Sequence, residues 1–186
     1  LITETNQSML FVLGPGHGFP ALQANLFMEG SLQKFYKQAT HSKKGIEHIS
    51  KNFSWPYGFP SHSNPGAPGV ILEGGELGYA LATSFGAVLN NPDLIVTCLV
   101  GDGEAETGPT ATAWHCNKFI DPKTNGAVLP IIHLNGYKIS GPTIYGRMSN
   151  QELTMLFKGY GYHPIIVDEK TDDKMFSSMY EATNLA

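Results

Sequence analysis

The sequence is poor in cysteine, in charge and in long apolar runs. Two cysteines in 186 residues, Cys98 and Cys116, do not make a disulfide framework, and a reducing cytoplasm is their simplest setting. Charged side chains are 15% of the chain, too few for a solvated, disordered polypeptide. Twelve basic residues stand against 16 acidic ones, a formal net charge of −4. With only short basic pairs such as Lys43-Lys44, this balance argues against a nucleic-acid surface. The longest apolar stretches, around Leu94–Val100 and Ala127–Leu134, fall far short of the roughly 20 residues that span a bilayer. No basic segment leading into an apolar one opens the chain, so nothing marks it for secretion.

Glycine and proline are what the chain has in excess, at 21 and 12 residues, well above ordinary usage. They cluster in Gly14-Pro15-Gly16-His17-Gly18, Pro65-Gly66-Ala67-Pro68-Gly69, Glu73-Gly74-Gly75-Glu76 and Gly101-Asp102-Gly103. Separate tight loops on a chain that is 41% hydrophobic point to a scaffold that brings backbone close to a ligand. The length suits one α/β domain.

Leu94–Val100 is a short, β-rich apolar run, expected as a central parallel strand covered on both faces. It runs directly into Gly101-Asp102-Gly103. A second strand is predicted over Ala127–Leu134, ending in Asn135-Gly136, and a third over Pro164–Val167. Helices are expected over Pro20–Glu29, Gly75–Leu89, Ala105–Phe119 and Asp172–Glu181. Another opens on the capping box Ser149-x-x-Glu152 and runs to about Lys158, with Gly159 as its stop. Residues 31–70 read as a long functional loop with short helical pieces. The order β-α-β-α-β predicts an α/β fold with a doubly wound, mostly parallel sheet and helices on both faces. Ligands of such sheets bind beyond the carboxyl ends of the strands.

Asp102 and Asn135 occupy two such ends. A carboxylate and an amide oxygen side by side are hard ligands that suit Mg²⁺ or Ca²⁺. Gly103 and Glu104 begin the next helix, where their N–H groups can face an anion. A chain at −4 that binds a polyanion must supply positive potential locally, through a metal and helix-end amides.

Gly-Asp-Gly-Glu after an apolar strand, with a second strand ending in Asn 33 residues beyond Asp102, resembles the signature of thiamine diphosphate enzymes. Longer blocks resemble phosphoketolases. They are Gly101-Asp102-Gly103-Glu104-Ala105-Glu106-Thr107-Gly108-Pro109, Ala113-Trp114-His115, Gly126-Ala127-Val128-Leu129-Pro130 and His133-Leu134-Asn135-Gly136-Tyr137-Lys138-Ile139. Gly14–Gly18, Pro60-Ser61-His62 and Glu73–Tyr79 belong with them, and the likeness runs from about Gly14 to Gly161.

The resemblance implies a thiamine diphosphate-binding fold and cleavage of D-xylulose 5-phosphate, or fructose 6-phosphate, by inorganic phosphate to give acetyl phosphate. It implies that Asp102, Asn135 and the Tyr137 carbonyl hold Mg²⁺, with Gly75 and Gly103 presenting N–H groups to thiamine diphosphate. It makes His17 and His62 the active-site histidines, suited near neutral pH to protonating a departing hydroxyl. Two positions depart from the family: Phe19 stands where many members have glycine, and Leu72 where many have histidine. A transketolase-like ketol transferase and a non-catalytic cofactor-binding or interaction module are the alternatives.

The remaining histidines have plainer readings, His41, His48 and His163 as solvated or structural, His115 and His133 as packed neighbours of the site. Phosphoketolases are several times longer than this chain. The chain starts at Leu1 and stops in a helix, so it is expected to be one partial domain, residues 1–186, of a longer, cytoplasmic enzyme that is at least dimeric. The glutamate that activates the cofactor is then expected elsewhere.

Overall fold

Three parallel strands place the ends that matter at one edge of the molecule. The structure, a computed structural model, describes residues 6–74 and 76–185. Strand β2 (Leu94–Gly101) lies between β1 (Ser8–Leu13) and β3 (Ala127–His133). The register pairs Leu13 with Leu99 and Gly101 with His133. The loops after all three strands therefore leave from the same side.

Side chains alternate across a strand, and β2 shows what covers each face. Val96, Cys98 and Val100 are fully buried beneath the helix Ala80–Val88, which presents Ala80, Leu81, Phe85 and Val88 at helical spacing. On the other face Leu13 and Leu99 meet Phe19 and Leu22 of the helix Phe19–Met28. Helices thus flank the parallel sheet on both faces. The second cover reaches only the carboxyl ends of the strands, and Phe11 farther back on β1 is 47% exposed.

In chain order the helices are α1 (Phe19–Met28), α2 (Leu32–Phe35), α3 (Lys43–Lys51), α4 (Ala80–Val88), α5 (Asp102–Ala105), α6 (Gly108–Ala113), α7 (Asn150–Tyr160) and α8 (Asp172–Leu185). A two-residue hairpin, β4 (Tyr137–Lys138) and β5 (Gly141–Pro142), follows β3. Helix α7 opens on the expected capping box: Ser149 Oγ accepts the Glu152 N–H, and the Glu152 carboxylate accepts the Ser149 N–H. Its Leu153 and Phe157 join the main core, where the Phe157 ring meets Trp114 edge-on at 4.9 Å.

Several expectations need correction. The third strand is β1, on the run Met9–Leu13, and not Pro164–Val167. The latter stretch is irregular and pairs with no described strand, and Ile165 and Ile166 are exposed. The helix expected over Ala105–Phe119 is broken into α5, α6 and a 3₁₀ turn over Trp114–Lys118. Gly108 at φ +55° and Pro109 interrupt it, since proline removes a donor and suits only a helix's first turn. Helix α4 starts at Ala80 because Gly78 before it takes φ +103°. Helix α7 passes Gly159 and stops at Gly161, whose φ of +95° makes the left-handed cap.

Candidate cofactor and substrate site

Asp102 is the first residue past β2 and is 2% exposed. A buried carboxylate needs donors, and Asp102 Oδ2 accepts the Gly136 N–H at 2.9 Å and the Thr143 hydroxyl at 2.7 Å. The first bond ties it to the turn after β3 that carries Asn135 and Tyr137. Both bonds fall on Oδ2, which leaves Oδ1 for another partner. In the turn itself, Asn135 Oδ1 accepts the Tyr137 N–H at 2.9 Å, and Gly136 takes φ +81°. Opposite Tyr137 in the hairpin stands Pro142, which has no N–H to offer the Tyr137 carbonyl.

One carboxylate at the end of β2, and one amide oxygen and one main-chain carbonyl in the turn bonded to it, are all hard donors of the kind Mg²⁺ takes. Among the described residues no cluster of three or more His, Cys, Asp or Glu could hold a metal ion. A cation at this turn would rest on a single carboxylate and complete its shell from outside the chain, as Mg²⁺ does with phosphate oxygens and water. The residues present fit that group.

Glu104 has a split role. Its main chain lies in α5 beside Gly103, while its side chain turns inward and is 2% exposed. Oε1 receives a long bond, 3.4 Å, from the Gly78 N–H, and Oε2 has no close hydrogen-bond partner among the described residues. Burial raises the Glu104 carboxyl above its usual range, against the opposing pull of the Gly78, Ala80 and Gly101 amides. A Cβ on Gly14 would stand 2.2 Å from Glu104 Oε2, so glycine there is a condition of seating the carboxyl.

Glu106, two residues on, binds outward-lying partners. Its Oε1 meets the Lys138 ammonium at 2.5 Å, and its Oε2 accepts the N–H groups of Ile144 at 2.6 Å and Tyr145 at 3.3 Å. Burial pushes the Glu106 carboxyl up, but Lys138 and the two amides outweigh it and hold it below the usual range. Lys138 Cβ also lies 3.1 Å from where a Cβ on Gly103 would be, so the hairpin closes over that glycine.

The histidines come from loops laced together by main chain. The Ser63 N–H donates to the Gly16 carbonyl at 3.2 Å, and the Gly74 N–H donates to the Ser63 carbonyl at 2.9 Å. A Cβ on Gly16 would lie 2.0 Å from Gly74 O, and one on Gly74 would lie 1.9 Å from Ser63 Oγ. Bare glycines permit this crossing. His17 and His62 each adjoin it in sequence, and both side chains are exposed. His62 Nδ1 is 3.0 Å from Ser61 Oγ. An open depression of about 470 Å³ lies at His62, lined by Ser54–Pro56, Pro60–Asn64 and Glu73; His17 is outside that lining. Gly75 lies outside the described residues.

The structure thus ties Asp102, at the end of β2, to the turn that carries Asn135 and Tyr137, with Gly103 beneath the adjoining hairpin. It brings the loops of His17, His62 and Gly74 together at their main chains. Sequence reading overlooked Thr143, Glu106, Lys138 and Ser63 as parts of the site. Glu106 and Lys138 sat inside motifs already noted, whereas Thr143 and Ser63 carry no local signal. The two departures have packing reasons: Phe19 is 2% exposed among Leu13 and Ala67, and Leu72 rests on the main core.

Comparisons with known proteins bear on the family and the fold of the chain. The model of the XFP N-terminal domain matches residues 1–186. The chain is 54% identical over 185 residues to a "Probable phosphoketolase" of Rhodopirellula baltica, covering 100% of this chain and 23% of that protein. It is 58% identical over 172 residues to a "Probable phosphoketolase" of Schizosaccharomyces pombe, covering 92% and 21%. The chain therefore spans about a fifth of the length of these relatives. Among solved structures, transketolase from Leishmania mexicana superposes with a TM-score of 0.67 at 20% identity, over 94% of this chain and 26% of that one. Transketolase from Campylobacter jejuni gives 0.62 at 20% identity, over 93% and 27%; at such identity the likeness speaks for the fold. With the whole of its length matched by the family model, the chain belongs to the XFP N-terminal domain family, the N-terminal region of phosphoketolases.

Proposed function

We propose that this chain is the diphosphate-binding part of a phosphoketolase, a single partial domain of a longer enzyme that works with thiamine diphosphate and Mg²⁺. The observation that carries this reading is the Gly136 N–H bond to Asp102 Oδ2, which sets a lone buried carboxylate against the Asn135–Tyr137 turn at the strand ends. Asp102, Asn135 and the Tyr137 carbonyl would hold Mg²⁺ on the cofactor's diphosphate. The N–H groups of Gly75, Gly103 and Glu104 would face the same anion. Bound thiamine diphosphate would supply the carbanion chemistry of C–C cleavage.

The chain's own residues manage position and protons. His17 and His62 stand on loops fixed to each other through Ser63, which suits them to one sugar phosphate. In this reading one of them gives a proton to the hydroxyl that leaves the substrate, a step for which an imidazole is poised near neutral pH. Inorganic phosphate is the second substrate. The rest of the enzyme, in the cytoplasm and at least as a dimer, would supply the cofactor's remaining contacts. No helix among the described residues is long and apolar enough to cross a membrane.

The test uses the full-length protein with xylulose 5-phosphate, inorganic phosphate, thiamine diphosphate and Mg²⁺. Acetyl phosphate is the expected product. Ketol transfer to an aldose acceptor, with no acetyl phosphate, would replace this reading with the transketolase-like one. Cofactor binding with neither product would leave only a binding module.

A further inference from the structure

A hairpin of two residues per strand has little shape of its own. Isolated two-stranded hairpins are marginal in water even when longer, and this one buries little: Tyr137 is 68% exposed and Ile139 wholly so. Its conformation has to come from what grips it.

Two carboxylates of the turn after β2 do the gripping, at different points. Asp102 holds the roots, through the Gly136 N–H and the Thr143 hydroxyl. Glu106 holds one arm, through the Lys138 ammonium on β4, and the segment that leaves the hairpin, through the Ile144 and Tyr145 N–H groups. The Glu106 side chain is 3% exposed and that of Lys138 38%, so the carboxylate is shielded while its ammonium partner still meets water. Tyr137 lies between the two grips, after Gly136 and before Lys138. Its carbonyl is the only proposed cation ligand with no side chain to orient it, and it goes wherever the hairpin goes.

Resting on the assignment of Asp102, Asn135 and Tyr137 as cation ligands, we propose that Glu106 is a positioning residue for the cation. By clamping Lys138, Ile144 and Tyr145 it fixes the hairpin so that the Tyr137 carbonyl stands beside Asp102 and Asn135 before a cation arrives. Glu106 touches no ligand itself. Its charge is taken up by Lys138, which keeps a second carboxylate from competing for the ion.

The test is Mn²⁺ titration of the full-length protein with thiamine diphosphate present, free Mn²⁺ being read by electron paramagnetic resonance. Residues that orient metal ligands typically contribute about 10–100-fold to affinity. Glu106→Ala is expected to weaken Mn²⁺ binding by that factor. Glu106→Gln, which still accepts the Ile144 and Tyr145 amides, is expected to recover part of the loss, and Lys138→Met to weaken binding several-fold. Mn²⁺ affinity within twofold of wild type in both Glu106→Gln and Lys138→Met would overturn the inference, even if Glu106→Ala fails to fold. So would a lowered melting temperature in Glu106→Ala at unchanged Mn²⁺ affinity, because that is what a merely structural clamp gives. Asp102→Ala separates the layers. If it abolishes binding while the Glu106 variants do not disturb it, the ligand assignment stands and the positioning role falls. If Asp102→Ala binds Mn²⁺ normally, the ligand assignment falls and takes the inference with it.

Discussion

Gly16 and Gly18 sit two residues apart in one glycine-rich motif, and the structure gives them opposite tolerances for a methyl group. At Gly16 a Cβ would lie 2.0 Å from Gly74 O and 2.4 Å from Gly74 C, both main-chain atoms. Ordinary contact starts near 3.4 Å, so Gly16→Ala must part the two chains by about 1.4 Å, and a well-packed interior gives way only at a cost. The Ser63 N–H bond to the Gly16 carbonyl, at 3.2 Å, does not survive that movement. Overpacking strain of about 1–3 kcal/mol and a lost hydrogen bond of about 1 kcal/mol place the total near 2–4 kcal/mol. For a chain of this size, each kcal/mol moves the melting temperature by about 2–4 °C, so a fall of about 5–15 °C is expected. At Gly18 the nearest atom to a Cβ is Leu13 Cδ1 at 3.8 Å, and the backbone is in the ordinary helical region. Gly18→Ala is expected to stay within about 0.5 kcal/mol of wild type. Thermal unfolding followed by circular dichroism on the two variants decides the matter. Equal melting temperatures for the two, whether both normal or both depressed, would refute the crossing of the His17 and Gly74 loops as described.

In the full-length enzyme, His17→Ala and His62→Ala are expected to keep thiamine diphosphate affinity and lose about 10²–10⁴-fold in turnover; unfolding in both, without a specific turnover defect, would favour a structural role. Asp102→Ala leaves the Thr143 hydroxyl and Gly136 N–H without their acceptor, at a cost of about 1–3 kcal/mol for the buried Thr143, and should also abolish cofactor binding at limiting Mg²⁺. Wild-type affinity there would refute the ligand assignment. The Glu106 carboxyl is held below its ordinary 4.5 in the fold, so the unfolded chain takes up its proton first as pH falls. The stability it contributes is complete above about 4.5 and is lost as pH drops through the lower folded value. Glu106→Gln should therefore flatten the acid limb of a melting temperature–pH curve, and an unchanged acid limb would count against the Lys138 pairing. The purified 186-residue chain alone is expected to form no acetyl phosphate and at best to bind thiamine diphosphate weakly; sustained turnover would show that no further domain is needed.

The part of the candidate site nearest to strand ends was legible in the sequence because local pattern and strand ends coincide there. An apolar run stopping at Gly101-Asp102-Gly103 and another stopping at Asn135 locate two loops without knowledge of the tertiary fold. Strand β1 was harder. Its run contains a single β-branched residue, Val12, and adjoins the eye-catching Gly14–Gly18 loop. Pro164–Val167 has better strand composition yet finds no partner among the described residues, since pairing is a tertiary event that propensity cannot supply. The break between α5 and α6 was written in Thr107-Gly108-Pro109, a helix-start signal buried inside a longer helical pattern. Glu106 marks the limit: its partners lie 32 to 39 residues away, and nothing local distinguishes it from a solvated glutamate.

Cys98 lies in the middle of β2, fully buried under α4, and burial pushes its thiol up to about 12, with the Ser84 hydrogen bond pulling the other way and Glu104 adding to the rise. Only a thiolate attacks an alkylating reagent at useful speed. In the folded chain Cys98 is therefore shielded twice, by access and by protonation. Both shields vanish together when the sheet separates from α4. With the half-buried Cys116 replaced by serine, the rate at which Cys98 becomes labelled is a stopwatch for the opening of the central strand, read at one sulfur atom on the strand that leads into Asp102.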